Sequence, residues 1–196
     1  MRADLELIYD WVPHRARVLD LGCGDGTLLA ALYRHKSVTG YGLEIDSEGI
    51  SRCLEKGVDV IEQDIDRGLA NIPDDTFDLV VMTQALQVLR RPDLVLDEML
   101  RVAHECIIAF PNFAWWRHRL ALGLKGRMPV SRSLPYDWYD TPNIHLSTFR
   151  DFEALCRDQG HTITDRAVGN GSREGGWRHH RWPNLFGQNA IFRVRR

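Results

Sequence analysis

The run Val18-Leu19-Asp20-Leu21-Gly22-Cys23-Gly24-Asp25-Gly26-Thr27 constrains this chain more than any other stretch. An apolar segment carrying an acid ends in three alternating glycines, after which Leu28–Tyr33 has the apolar spacing of a helix. Physically this is a strand entering a tight turn whose bare backbone can press against a ligand, followed by a helix whose first N–H groups lack intrahelical partners. A dinucleotide fingerprint needs glycines at the first, third and sixth positions to admit a pyrophosphate. Here the sixth position is Thr27, and Asp20 would repel a phosphate. The turn suits a ligand carrying an ammonium group, although a plain strand–helix turn of an unrelated α/β protein would have the same outline.

Further acids follow at regular intervals. Val38–Glu44 reads as a second strand whose terminal acid, Glu44, lies about 20 residues past the glycines, where a carboxylate can take both hydroxyls of a ribose. Val58–Asp64 reads as a third strand, again ending in an acid. Each acid alone also fits a solvated strand end; three in register after three successive strands point to a nucleotide site. The Gly22-x-Gly24-x-Gly26 turn behind Asp20 resembles motif I of the class I methyltransferases dependent on S-adenosylmethionine. That resemblance implies that Asp64 accepts from the adenine amino group, that Ile45 and Ile65 flank the base, and that Asp20 with Gly22, Gly24 and Gly26 forms the rest of the cofactor cradle.

The 196 residues fit one domain with a full-sized core, and a formal net charge of −2 offers no global attraction to nucleic acid or to an anionic membrane. Neither is expected as a partner. Acids stand in Met1–Glu6 where a signal peptide would need an apolar run, so the expectation is a cytoplasmic protein without a membrane span. Cys23, Cys53, Cys106 and Cys156 are scattered singly, without the close pairs of zinc knuckles or redox motifs. They are expected as reduced thiols, with Cys23 a small filler of the turn.

Along the chain, a helix over Leu5–Val12 is stopped by Pro13. The pattern then predicts strand 18–22, helix 26–35, strand 38–44, helix 47–56, strand 58–62, strand 77–82, a helix opening at Pro92 and strand 105–110. Thr148-x-x-Asp151 has the form of a capping box for a helix closed by Gly160, and strands 162–168 and 189–194 flank a glycine-rich loop as a terminal hairpin. Apolar strands alternating with helices predict an α/β fold: a doubly wound, mostly parallel seven-stranded sheet of Rossmann-like type whose last strand is antiparallel. Residues 111–146 break this rhythm. They gather Trp115, Trp116, Tyr136, Trp138 and Tyr139 among Arg117, Arg119, Arg127 and Arg132, and are read as a lid or partner-binding insertion within a single domain, 1–196.

Phe110-Pro111-Asn112-Phe113, Gly126-Arg127-Met128-Pro129-Val130, Thr83-Gln84-Ala85-Leu86-Gln87 and above all Tyr139-Asp140-Thr141-Pro142-Asn143-Ile144-His145 resemble the methionine-biosynthesis protein MetW family over nearly the whole chain. The resemblance implies a methyltransferase-like protein that works beside homoserine O-acyltransferase, and leaves open whether methyl transfer occurs.

Displacement at a sulfonium needs the nucleophile aligned and, for a hydroxyl or ammonium acceptor, a base. After the fourth strand there is no Asn-Pro-Pro-Tyr type amine-binding motif; Gln84 stands there and could contact the amino-acid end of S-adenosylmethionine or S-adenosylhomocysteine. His145 is the candidate base, with a structural histidine bonded to a turn carbonyl as its alternative. His179 and His180 with Glu174 do not form a metal set, because adjacent side chains of a strand point apart. The arginines at 166, 173, 178, 181, 193, 195 and 196 have few acids nearby in sequence, Glu174 among them, and read as a solvated rim or a surface for an acidic partner. Two functions follow: a small-molecule methyltransferase, or a subunit that binds S-adenosylmethionine and supports or regulates the acyltransferase through 111–146. The sparse supply of bases and the family resemblance favour the second.

Overall fold

A computed structural model describes residues 3–169 and 182–196. Helix α1 (Ala3–Trp11) precedes β1 (Arg17–Leu21), α2 (Thr27–Lys36), β2 (Thr39–Glu44), α3 (Ser47–Glu55), β3 (Val60–Glu62), β4 (Phe77–Thr83), α4 (Pro92–Val102) and β5 (Ala103–Pro111). Then come α5 (Trp116–Lys125), α6 (Phe149–Asp158), β6 (Thr162–Gly169), the short α7 (Pro183–Phe186) and β7 (Asn189–Arg195). The strands form a seven-stranded sheet in the order β3-β2-β1-β4-β5-β7-β6, parallel from β3 to β5, with β7 antiparallel to both β5 and β6. This is the doubly wound sheet that the alternating pattern predicts, and the last strand is the reversed one. The third strand is shorter than expected, pairing only over Val60–Glu62.

Strand periodicity sorts the core into two layers. Val18, Leu79, Val81, Ile107 and Ile191 pack on one face with Leu28, Leu29 and Leu32 of α2 and Ile8 of α1. Leu19, Leu21, Val80, Met82, Ile108 and Phe192 pack on the other with Leu96 and Met99 of α4 and Phe149 and Phe152 of α6. Phe192 has the rings of Phe149 and Phe152 at 4.5 and 4.7 Å. Burial on both faces is why these strands read as continuous apolar runs.

Two local devices hold the framework. Lys36, at the end of α2, buries its ammonium against the carbonyls of Tyr9, Asp10 and Val12, placing a cation at the negative end of α1. The predicted capping box is present: Asp151 N donates to Thr148 Oγ1 at 3.2 Å and Thr148 N to Asp151 Oδ2 at 3.1 Å. The arginines of the last strand differ from the expected open rim. Arg193 and Arg195 both pair with Glu105 of β5, and Arg166 pairs with Glu153 of α6. Glu105 lies about 90 residues away in sequence and enters through the pairing of β5 with β7, whereas Glu153 is 13 residues from Arg166 and enters through the packing of α6. Arg173, Arg178, Arg181, His179, His180 and Glu174 lie outside the described residues.

Candidate functional site

The carboxyl ends of β1, β2, β3 and β4 converge on the glycine turn. Gly22, Gly24 and Gly26 all have positive φ, at 69°, 58° and 69°, a backbone that side chains disfavour. A Cβ on Gly22 would stand 3.1 Å from Ala85 Cβ and 3.9 Å from Ile65 Cδ1, whereas one on Gly24 would meet nothing within 4 Å. The turn is therefore backed by the segments after β3 and β4 and open at its middle. The space beside Gly24 and the bare backbone around it fit a cradle for an adenosyl ligand.

Glu44, at the end of β2, is joined to this turn directly. Its Oε2 accepts from Gly24 N at 2.7 Å, while Oε1 accepts from Ile45 N at 2.8 Å and Asp46 N at 3.0 Å. A carboxylate offers about four lone-pair sites, so a ribose hydroxyl can still be accommodated. Asp46 then caps α3, accepting from Gly49 N at 2.8 Å, and α3 closes on the turn so tightly that a Cβ on Gly49 would lie 2.9 Å from Gly24 O. On the far side of the turn Lys56 Nζ donates to Asp25 Oδ2 at 2.5 Å, to Asp25 O and to Thr27 Oγ1. Burial pushes the Asp25 carboxyl up, but the bonds from Lys56 and Thr27 outweigh it and hold it at about 2. The Asp25–Lys56 clamp has no signal in sequence beyond the acid inside the turn.

The other expected residues are placed as follows. Asp20 is 2% exposed, on β1 beneath the turn. Asp64 caps a 3-10 turn over Ile65–Arg67, with Asp66 N donating to its Oδ1 at 3.0 Å. Ile65 is buried against the turn, whereas Ile45 is 62% exposed and offers its apolar side chain to whatever enters. Gln84 follows β4 with φ of 58°, unusual for a side-chain-bearing residue, and donates its N–H to Ala109 O. His145 is exposed and away from the glycine turn in sequence; its Nε2 lies 3.4 Å from Arg90 O and its backbone N–H donates to Gln87 O. That ring rests on a turn carbonyl, with no carboxylate among the described residues bonded to it. Cys23 and Cys53 touch beneath the turn, Sγ to Sγ 3.7 Å, and burial raises both thiols, Cys23 most strongly. Among the described residues no cluster of His, Cys, Asp and Glu could hold a metal ion, and no helix is long and apolar enough to cross a membrane.

Residues 111–146 contain a helix, α5, that the irregular composition concealed. Asn112 anchors the start of the segment: its Nδ2 donates to Gly187 O at 2.7 Å and Asn184 O at 3.0 Å, and its Oδ1 accepts from Phe149 N and Ala114 N. The Phe-Pro-Asn-Phe run is thus a structural knot between β5, α6 and the approach to β7. His118 is buried, bonded to Ser131 Oγ at 2.9 Å, and burial lowers its pKa. The aromatics split by direction. Trp115, expected on a contact surface, is 8% exposed and packs edge-on against His118. Trp138 and Tyr139 are 73% and 71% exposed and pack on each other at 5.7 Å.

A model of the family described as "Methionine biosynthesis protein MetW" matches residues 2–194. Over 177 residues the chain is 35% identical to the bifunctional methionine biosynthesis protein MetXA/MetW of Rhodopirellula baltica, covering 86% of this chain and 28% of that protein. The chain thus spans little more than a quarter of that relative's length. Among solved structures it is similar to an S-adenosylmethionine dependent methyltransferase from Mesorhizobium loti, with TM-score 0.73, 17% identity and coverage of 99% of this chain and 98% of that one. It is also similar to the cyclase SpnF, with TM-score 0.69, 20% identity and coverage of 98% and 80%. At these identities the likeness is one of fold, and the fold carries more than one chemistry.

Proposed function

The chain belongs to the MetW family of methionine biosynthesis proteins, and from that premise we propose that it binds S-adenosylmethionine or S-adenosylhomocysteine at the glycine turn and associates with homoserine O-acyltransferase, which it supports or regulates. In this reading Glu44 takes a ribose hydroxyl through its remaining acceptor site, Asp64 the adenine amino group, Ile45 and Ile65 the faces of the base, and Gln84 the amino-acid end. Asp20, with Gly22, Gly24 and Gly26, completes the cradle. The exposed pair Trp138 and Tyr139 supplies anchors of the type that dominate protein interfaces.

The observation that carries the partnership is the Rhodopirellula baltica relative, whose name joins MetXA and MetW in one bifunctional protein. Covalent joining gives two units a high effective concentration, which is of use where they act together. S-adenosylmethionine is made from methionine, so a subunit that binds it can report supply to the pathway.

The alternative, a methyltransferase for a small molecule, draws on the methyltransferases among the fold neighbours. The candidate base His145 is exposed and set against Arg90 O, which does not favour it. Co-purification with homoserine O-acyltransferase, with acyl transfer assayed with and without S-adenosylmethionine, separates the two. A complex with an altered rate is expected; no complex and no rate effect would return the protein to the methyltransferase reading.

A further inference from the structure

The turn after β4 is bonded on one side to the proposed nucleotide residues and on the other to the most family-specific stretch of 111–146. Gln84 sits in left-handed backbone, a conformation that persists only where the surroundings hold it. Its N–H is held by Ala109 O, and its carbonyl accepts from the Nε2 of Gln87 at 2.7 Å. Gln87 is buried, and its own backbone carbonyl accepts the N–H groups of both Ile144 and His145, each at 3.0 Å. A second route runs in parallel. Asp66, whose N–H caps onto Asp64, accepts at Oδ1 from Arg90 N at 2.8 Å, and Arg90 O faces the His145 ring. Ala85, in the same turn, backs Gly22.

We infer that residues 84–90 couple the nucleotide site to the Ile144–His145 strap, with Gln87 as the positioning residue, so that an adenosyl ligand fixes the strap and with it the aromatic surface. The inference rests on the reading of the glycine turn as an adenosyl site. A ligand end that engages Gln84 selects one arrangement of its backbone. The Gln87 amide passes that choice to the carbonyl on which Ile144 and His145 hang. An adenine that orders Asp64 and its 3-10 turn acts on Arg90 in the same direction. By linkage, whatever partner docks on the ordered strap must in turn tighten the ligand by the same factor.

Amide hydrogen exchange on the full chain tests this without the acyltransferase, because exchange at Ile144 and His145 reports opening of their bonds to Gln87. Saturating S-adenosylhomocysteine is expected to slow both amides by about fivefold or more, the lower end of ordinary coupling factors. In Gln87→Met, which keeps the side-chain length but removes the donor, and in Asp66→Ala, an exposed site with little bearing on folding, the ligand should still bind by calorimetry. The slowing should fall below about twofold in at least the Gln87 variant. Bound ligand with no slowing in the natural sequence, or full slowing retained in Gln87→Met, overturns the coupling and leaves the nucleotide site standing. Failure of S-adenosylhomocysteine to bind the natural sequence at all overturns the nucleotide site, and the coupling with it.

Discussion

Glu44 Oε2 accepts from Gly24 N at 2.7 Å, across 20 residues of sequence, so the end of β2 and the middle of the glycine turn share one hydrogen bond. The same carboxylate gathers Ile45 N and Asp46 N, so the group proposed to bind ribose also sets the shape of the turn beside it.

Replacing Glu44 with Ala should therefore weaken S-adenosylhomocysteine by about 10- to 100-fold, given about 1.5–3 kcal/mol for hydrogen bonds to a charged group. Glu44→Gln should fall between the two, because the amide retains one acceptor oxygen. Titration calorimetry measures the loss, and an unchanged melting profile would assign it to the site. Unaltered affinity would remove Glu44 from the ribose role.

Gly42 and Gly24 should respond in opposite ways to Ala. A Cβ at position 42 would stand 2.3 Å from Cys23 Sγ, so the β2 strand or the turn must shift. About 1–3 kcal/mol of folding stability is expected to go. At Gly24 the space is open and only the positive φ is strained, about 1–2 kcal/mol, but the new methyl faces the cradle. Thermal unfolding should penalise Gly42→Ala more, and ligand calorimetry Gly24→Ala more.

Asp25 gives a pH signature. Its folded-state pKa of about 2 lies below the ordinary 3.8, so its contribution to stability is present above about pH 4 and is lost as pH falls toward 2. The carboxylate is partly exposed, which limits the gain to about 1 kcal/mol or less. Lys56→Met should flatten that acid limb in urea unfolding between pH 5 and 2. An acid limb identical to that of the natural sequence would deny the clamp any energetic part.

The aromatics of 111–146 should separate by exposure. Trp138→Ala with Tyr139→Ala should leave folding stability within about 0.5 kcal/mol, as surface changes do. Association with homoserine O-acyltransferase should fall at least about tenfold, the cost of a lost interface anchor. Trp115→Ala should instead cost about 3–5 kcal/mol of folding stability, because its ring is buried against His118. Equal binding by the Trp138/Tyr139 double variant in a co-purification would move the docking surface elsewhere.

Much of this was legible along the chain because it is local. The apolar runs alternating with helical spacing from Val18 to Phe110 carry the order of strands and helices, the Gly22-Gly24-Gly26 spacing carries the positive-φ turn, and Thr148 with Asp151 carries a helix start. In 111–146 the helix α5 has no such signal, because its Trp, Arg and Leu residues do not sort into one clean apolar stripe; the segment is tied down by distant partners, Phe149 N on Asn112 Oδ1 and Gln188 Nε2 on Ser133 Oγ, that its own periodicity does not encode.

What the sequence by itself determined is the class of sheet, the place of the glycine turn and the acids that follow it, since strand and turn preferences act over a few residues. Only the tertiary structure decided the pairing of Glu105 with Arg193 and Arg195, the clamp of Lys56 on Asp25, the burial of Trp115 against the exposure of Trp138, and the carbonyl of Gln87 that holds Ile144 and His145. The physical reason is that a hydrogen-bond donor or an aromatic ring carries no mark of which distant partner it will meet. The choice is made when two layers of core close around the sheet and buried donors and acceptors pair in the space that remains.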